Sequence, residues 1–154
     1  MKLTNLIGKV LLVCSLFSYK SGIAQTASSG QVTVPQNEPN GKAIMAYYNA
    51  FEKKDWNMLQ PYLADGFTFS SPLDDHISEK AFKERCWPNC EKIKKFEVTE
   101  FVMKGDEAVV ITNGWTTDGK LFRNSDYFKL KDGKIKAYEC FFGPGINYPN
   151  NSSK

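Results

Sequence analysis

The spacing of apolar residues divides the chain near residue 93. Upstream it follows a helical period. "KAIMAYYNAFEKKDW", from Lys42, places Ile44, Tyr47, Tyr48 and Phe51 three and four residues apart, which predicts a helix with one apolar stripe. Asp55 suits the cap of a second short helix, "WNMLQPYLA", bent or shortened by Pro61. "GFTFSSP" alternates as a short strand does, and Ser78 is placed to cap a third helix through Glu79, Phe82 and Arg85. Downstream, residues 93 to 143 alternate with period two between the turn signals "KGDE", "TDGK" and "KDGK". Helices followed by a four-strand antiparallel meander predict an α+β domain.

The turns predict a register. A two-residue loop at Asp132-Gly133 sets Leu130 opposite Ile135, Phe128 opposite Ala137 and Asp126 opposite Glu139. The same rule at Asp118-Gly119 pairs Trp115 with Phe122, Asn113 with Asn124 and Ile111 with Asp126. One face then gathers Val109, Ile111, Trp115, Phe122, Phe128, Leu130, Ile135 and Phe141, with Asn113, Asn124, Asp126 and Glu139 among them. A register at Gly105-Asp106 adds Val98, Glu100 and Val102. The other face carries Arg123, Tyr127, Tyr138, Cys140 and Phe142, and its aromatic patch suits contact with a second copy in a homodimer. The first face is the more apolar and is assigned to the helices, so the polar cluster is internal.

Two carboxylates opposed inside an apolar cavity repel, and one is driven towards its neutral form. Such a pair is acid–base equipment, with Asp126 or Glu139 as base and Asn113 or Asn124 polarising a carbonyl. The alternative is that both lie wet at a sheet end or are bridged by a basic side chain. Either Tyr47 or Tyr48 can turn a hydroxyl towards the cavity from the first helix. His76, the only histidine, follows the first strand in "SPLDDHIS", as a rim residue or an exposed one. Asp74 and Asp75 beside it read as turn formers.

With 154 residues, 42% hydrophobic and 14% aromatic, the chain suits one domain with a real core. Lys2, Lys9 and Lys20 account for the formal charge of +3, because residues 1–24 hold no Asp or Glu. The remainder is neutral, which argues against a nucleic-acid partner. Those first residues have the parts of a secretory signal: a basic start, the apolar run "VLLVCSLF", and small residues before Gln25. The run is too short for a membrane span and is interrupted by Lys20. A lipid anchor at Cys14 is the weaker reading, since Val13 is bulky. The expected organisation is a signal peptide over 1–24, a flexible leader over 25–39, the domain over 40–143 and a flexible tail over 144–154. The mature protein is expected in the periplasm or secreted, with no membrane contact after cleavage. Export permits disulfides, yet Cys86, Cys90 and Cys140 are odd in number; one bridge with one thiol and three thiols both remain open. The three-residue spacing in "CWPNC" and the single histidine argue against a metal site, and no cofactor is expected.

"YYNAFEKKDWNMLQPYLADGFTF", followed by a sheet ending in "DGKIKAYECFFG", resembles the SnoaL-like, ketosteroid-isomerase-like branch of the nuclear transport factor 2-like superfamily. The likeness covers about residues 42 to 143 and is most specific at "AFEKKDWNMLQPYLADGF" and "DGKLFRNSDYFKLKDGKI". It implies a curved, mostly antiparallel sheet wrapped over helices as a cone-like α+β barrel, whose mouth holds a small hydrophobic molecule. Members include polyketide cyclases, steroid isomerases, dehydratases and epoxide hydrolases, and some only bind or oligomerise. Family enzymes use pocket carboxylates as proton acceptors, helped by Tyr, His or Arg; Asp126 and Glu139 occupy matching strands. Asn113, Asn124, Trp115, Tyr48 and His76 complete the expected lining. The resemblance also puts His76 in a loop that rims the cavity, and Trp87-Pro88 where such folds carry a flap. Cys140 stands where an epoxide-hydrolysing relative has an aspartate, which counts against that reaction.

Overall fold

The structure is a computed structural model that describes residues 32–142. The expected signal segment, the start of the leader, Cys14 and the tail lie outside the described residues. Among those described, no helix is long and apolar enough to cross a membrane.

Helix α1 spans Pro39–Lys53, three residues earlier than the stripe alone suggests. Pro39 supplies the fixed φ that suits a first helical position. Gly41 then lies against the leader, where a Cβ would come within 2.0 Å of the Pro35 carbonyl oxygen. The helix ends at Lys54, whose left-handed backbone (φ 56°) returns its N–H to Ala50 and Phe51. Ile44, Tyr47, Tyr48 and Phe51 are buried as expected, and Ala43, Ala46 and Ala50 let the helix approach the sheet closely. Asp55 caps α2, Trp56–Leu59, by accepting from the N–H groups of Asn57 and Met58. A 3-10 turn at Gln60–Tyr62 follows, where Pro61 bars further α-helix. Ser78 caps α3, Glu79–Arg85, and a 3-10 segment, Trp87–Lys92, leads into the sheet. Cys86, Cys90 and Cys140 are free thiols.

Six strands form one curved, mixed sheet in the order β2-β1-β6-β5-β4-β3. They are β1 Leu63–Ser71, β2 Asp74–Ser78, β3 Ile93–Lys104, β4 Glu107–Thr116, β5 Leu121–Lys131 and β6 Lys134–Phe141. The last four make the expected antiparallel meander, while β1 joins β6 in parallel. The sheet is not closed into a barrel, since β2 and β3 are its free edges. Strand β2 replaces the loop expected around His76, which sits within it at φ 46°.

The turn at Asp132-Gly133 is the two-residue loop expected, with both residues at positive φ (52° and 73°) and Leu130 opposite Ile135. One residue further on, the register shifts between Lys129 and Leu130, and from there Phe128 faces Tyr138 and Asp126 faces Cys140. A bulge of this kind adds one residue to one strand and inverts every side chain beyond it. At the other end of β5 the loop is longer than expected. Thr116 and Lys120 close it by backbone and hydroxyl hydrogen bonds, and Gly119 (φ 85°) makes the final reversal. Asp126 therefore pairs with Val110 and Asn124 with Thr112.

These two shifts correct the faces. Strand β5 keeps its expected phase: Asp126, Phe128 and Leu130 point to the core. On β4 the inner residues are Ala108, Val110, Thr112 and Gly114; Val109, Ile111, Asn113 and Trp115 belong to the outer face. On β6, Tyr138 and Cys140 are inside, whereas Glu139 pairs with Tyr127 on the outside. Val102, expected inside, pairs with Val109 on the outer face, where both are exposed. Tyr138 and Phe142 thus drop out of the aromatic patch, Phe142 to the cavity mouth, and the exposed large apolar residues of that face are Val102, Val109, Leu121 and Phe141.

Candidate active site

A cavity of about 570 Å³ opens between α1, α3 and the inner face of the sheet. Its walls are largely rings, among them Phe51, Phe69, Phe82, Phe96 and Phe122. Exposed Leu73, Arg85, Lys92 and Phe142 edge its mouth. At its inner end lies Asp126, 1% exposed, with Tyr48, Tyr138, Cys140 and Asn124 around it.

Each of these side chains is delivered by one regular element. Tyr48 stands on the buried stripe of α1, and its hydroxyl donates to Asp126 Oδ2 at 2.7 Å. Tyr138, turned inward by the β6 bulge, donates to Asp126 Oδ1 at 3.0 Å. Phe128, one inward position along β5, stacks on Tyr138 with ring centres 4.7 Å apart and planes 10° apart. Tyr47 packs against Phe128 and Tyr138 in turn. The carboxylate is therefore held from two sides by hydroxyls whose own rings are fixed by packing.

Burial pushes the Asp126 carboxyl up from its ordinary 3.8 to about 6, because the charged form loses water. The hydroxyls of Tyr48 and Tyr138, the thiol of Cys140 and the hydroxyl of Thr112 act against that rise by favouring the anion. Thr112 Oγ1 is enclosed beside the carboxylate without a well-formed hydrogen bond, so its contribution is dipolar proximity. Burial likewise pushes Tyr47, Tyr48, Tyr138 and Cys140 well above their usual ranges, with Asp126 adding to each. These four remain protonated at neutral pH, as hydrogen-bond donors and not as nucleophiles.

Of the residues expected from sequence, Asp126, Asn124 and Tyr48 meet in this cavity. Glu139, Asn113 and Trp115 do not; the two register shifts carry them to the outer face, where Lys95 covers the Trp115 ring at 4.0 Å. There is accordingly no Asp126–Glu139 pair, and the raised Asp126 pKa comes from burial instead of like-charge repulsion. His76 is exposed and contacts Asp75, away from the cavity lining. Arg123 pairs with Asn113 on β4 and donates to Thr99, and it also contributes to the cavity lining. Trp87 packs on Phe51 and Trp56. Tyr138, Cys140 and Thr112 were missed as neighbours of Asp126. One signal was available: the phase of β6 that buries Tyr138 and Cys140 leaves the Glu139 charge in water.

Among the described residues, no group of three His, Cys, Asp or Glu side chains could hold a metal.

No curated protein matches the chain. Solved structures that match share the fold. A nuclear transport factor 2-like protein of unknown function from Cytophaga hutchinsonii is 21% identical, with a TM-score of 0.55 over 75% of this chain and 95% of that one. A putative ketosteroid isomerase from Kribbella flavida is 16% identical, with a TM-score of 0.59 over 73% and 84%. An epoxide hydrolase of M. tuberculosis is 17% identical, with a TM-score of 0.54 over 66% and 80%. The family described as the SnoaL-like domain matches residues 44–138, more than half of the sequence. The chain belongs to the SnoaL-like domain family, within the nuclear transport factor 2-like fold.

Proposed function

We propose that the protein is an exported enzyme that moves protons on a small, largely apolar molecule, with Asp126 as the base. The observation that carries this reading is a buried carboxylate, raised to about pKa 6, at the inner end of a ring-lined cavity. A base is most effective when its pKa lies near the working pH, and an ionised Asp126 above pH 6 meets that condition. The carboxylate takes a proton from a carbon beside a carbonyl. The electron pair moves onto the carbonyl oxygen, which the Asn124 amide polarises from the same cavity. Return of the proton to another carbon completes an isomerisation. Loss of a β-hydroxyl, which leaves as water with the proton held by Asp126, completes a dehydration. Attack of the enolate carbon on a second carbonyl of the same molecule, whose oxygen takes up that proton, completes a cyclisation. The putative isomerase among the similar structures supports this class of chemistry. Cys140 opposite Asp126 counts against epoxide hydrolysis, because a protonated thiol supplies no second carboxylate.

The test is deuterium exchange at the α-carbon of 2-tetralone, an apolar ketone small enough for the cavity, followed by NMR in D₂O. The protein is expected to accelerate exchange, and Asp126→Asn to lower that acceleration by about a hundredfold. Bound ketone that exchanges no faster than free ketone would mean a retention protein without chemistry.

A further inference from the structure

The cavity has a second polar station that the Asp126 chemistry does not use. Asp74, at the start of β2, lines the mouth with its side chain only 8% exposed, although the residue sits beside a surface turn. Ser71 Oγ donates to its Oδ2 at 3.1 Å, and the Cys86 thiol lies 3.6 Å from the same oxygen. Burial first, and then the Asp74 charge, push the Cys86 thiol up to about 11, so it stays a donor. The other oxygen, Oδ1, is 2.6 Å from Arg85 Nη2 at the end of α3. That contact lies off the hydrogen-bonding direction, and Oδ1 is enclosed with no hydrogen bond of its own. Charge, and not a two-pronged fork, therefore ties the guanidinium to the carboxylate. Arg85 itself remains 58% exposed and lines the cavity mouth. A guanidinium has five N–H donors, and an off-axis carboxylate leaves most of them for another anion. Lys92, steadied by a 3.4 Å contact from its Nζ to Asn89, adds a second cation to the same mouth. Two cations against one carboxylate leave the entrance positive, while the walls behind it are aromatic.

We propose that Arg85, aimed by Asp74 and assisted by Lys92, binds an anionic end-group on the ligand, so that the ligand class is an aromatic or polycyclic molecule bearing a carboxylate, sulfonate or similar acid. This rests on the cavity being the ligand site. The apolar body lies among Phe69, Phe82 and Phe122, the acid stays at the solvent end, and the opposite end reaches Asp126. A charge at the mouth costs little desolvation, whereas the same charge beside Asp126 would meet a buried carboxylate. The arrangement thus fixes which end enters first.

Two dyes with one ring framework separate the claims: 8-anilinonaphthalene-1-sulfonate and N-phenyl-1-naphthylamine, which lacks the sulfonate. Fluorescence titrations at low salt are expected to show one saturable site for both. In Arg85→Gln the sulfonate should bind about tenfold more weakly while the neutral dye changes less than twofold. The double variant Asp74→Asn/Arg85→Gln, which leaves no buried unpaired carboxylate, guards against a folding defect and should show the same selectivity loss. Lys92→Gln should lower sulfonate binding by a smaller factor. Equal weakening of both dyes in both Arg85 variants, or no change in either dye, would overturn the anion clamp and make Arg85 a strut between α3 and β2. Absence of binding by either dye to the unaltered protein would overturn the clamp together with the ligand cavity. Sulfonate selectivity without ketone exchange would leave the clamp standing and remove only the chemistry at Asp126.

Discussion

Asp126→Asn is expected to gain stability relative to the unaltered protein as pH rises, by about 2 kcal/mol between about pH 4.5 and 7.5. The sign follows from burial. The carboxyl titrates at about 6 when folded and at 3.8 when its water is restored, so between those values the folded chain keeps a proton that the unfolded chain has lost. Its contribution is most favourable below pH 3.8 and is lost as pH rises through 6. Above that, the penalty is complete at about 3 kcal/mol, from 1.36 kcal/mol per pKa unit. Asparagine carries no such charge. It also loses part of the hydrogen bonding from Tyr48 and Tyr138, but that loss is independent of pH and shifts the curve without changing its slope. Urea unfolding of both proteins across this range checks the prediction. Parallel curves would mean that Asp126 is not desolvated in the folded state.

Phe128→Ala is expected to remove about 3–5 kcal/mol of stability, in the range found when a fully buried ring is truncated. Phe128 is 0% exposed and touches Tyr47, Tyr48 and Tyr138 at once. Its removal opens a void under the two tyrosines that hold Asp126, so it acts on the site as well as on the core. Denaturant unfolding measures the loss. A value below about 1 kcal/mol would mean that the neighbouring rings collapse into the gap and that the stacked cluster does not fix the hydroxyls. The pairing of a costly core ring with the site explains how a carboxylate can be tolerated where it is. The geometry around it is enforced by the same aromatic packing that stabilises the domain.

Much of this architecture was legible in the sequence, because its signals are local. The stripe of α1, the caps at Asp55 and Ser78, and the Asp132-Gly133 turn depend on residues a few positions apart, and each appears as expected. The inward face of β5 was legible too, since Phe128 and Leu130 leave one sensible phase for Asp126. What sequence alternation missed were two one-residue events. The bulge at Lys129–Leu130 carries no glycine or proline to announce it, and the Asp118-Gly119 turn takes three loop residues where two would serve. Each event inverts a whole strand, which exchanged Glu139 for Cys140 and Asn113 for Thr112 beside Asp126. The penalty for burying Glu139 next to another carboxylate was the available warning. The clamp of Asp74 and Arg85 was out of reach, because it joins β2 to the end of α3 through tertiary packing that no spacing rule describes.

Asp126 is a desolvated carboxylate poised near neutrality at the inner end of the ring-lined cavity. The most direct measurement is a ¹³C NMR titration of its side-chain carboxyl, assigned by comparison with Asp126→Asn. A midpoint of about 6 is the expected result. A midpoint at the ordinary 3.8 would contradict the account, since it would describe a carboxyl in contact with bulk water.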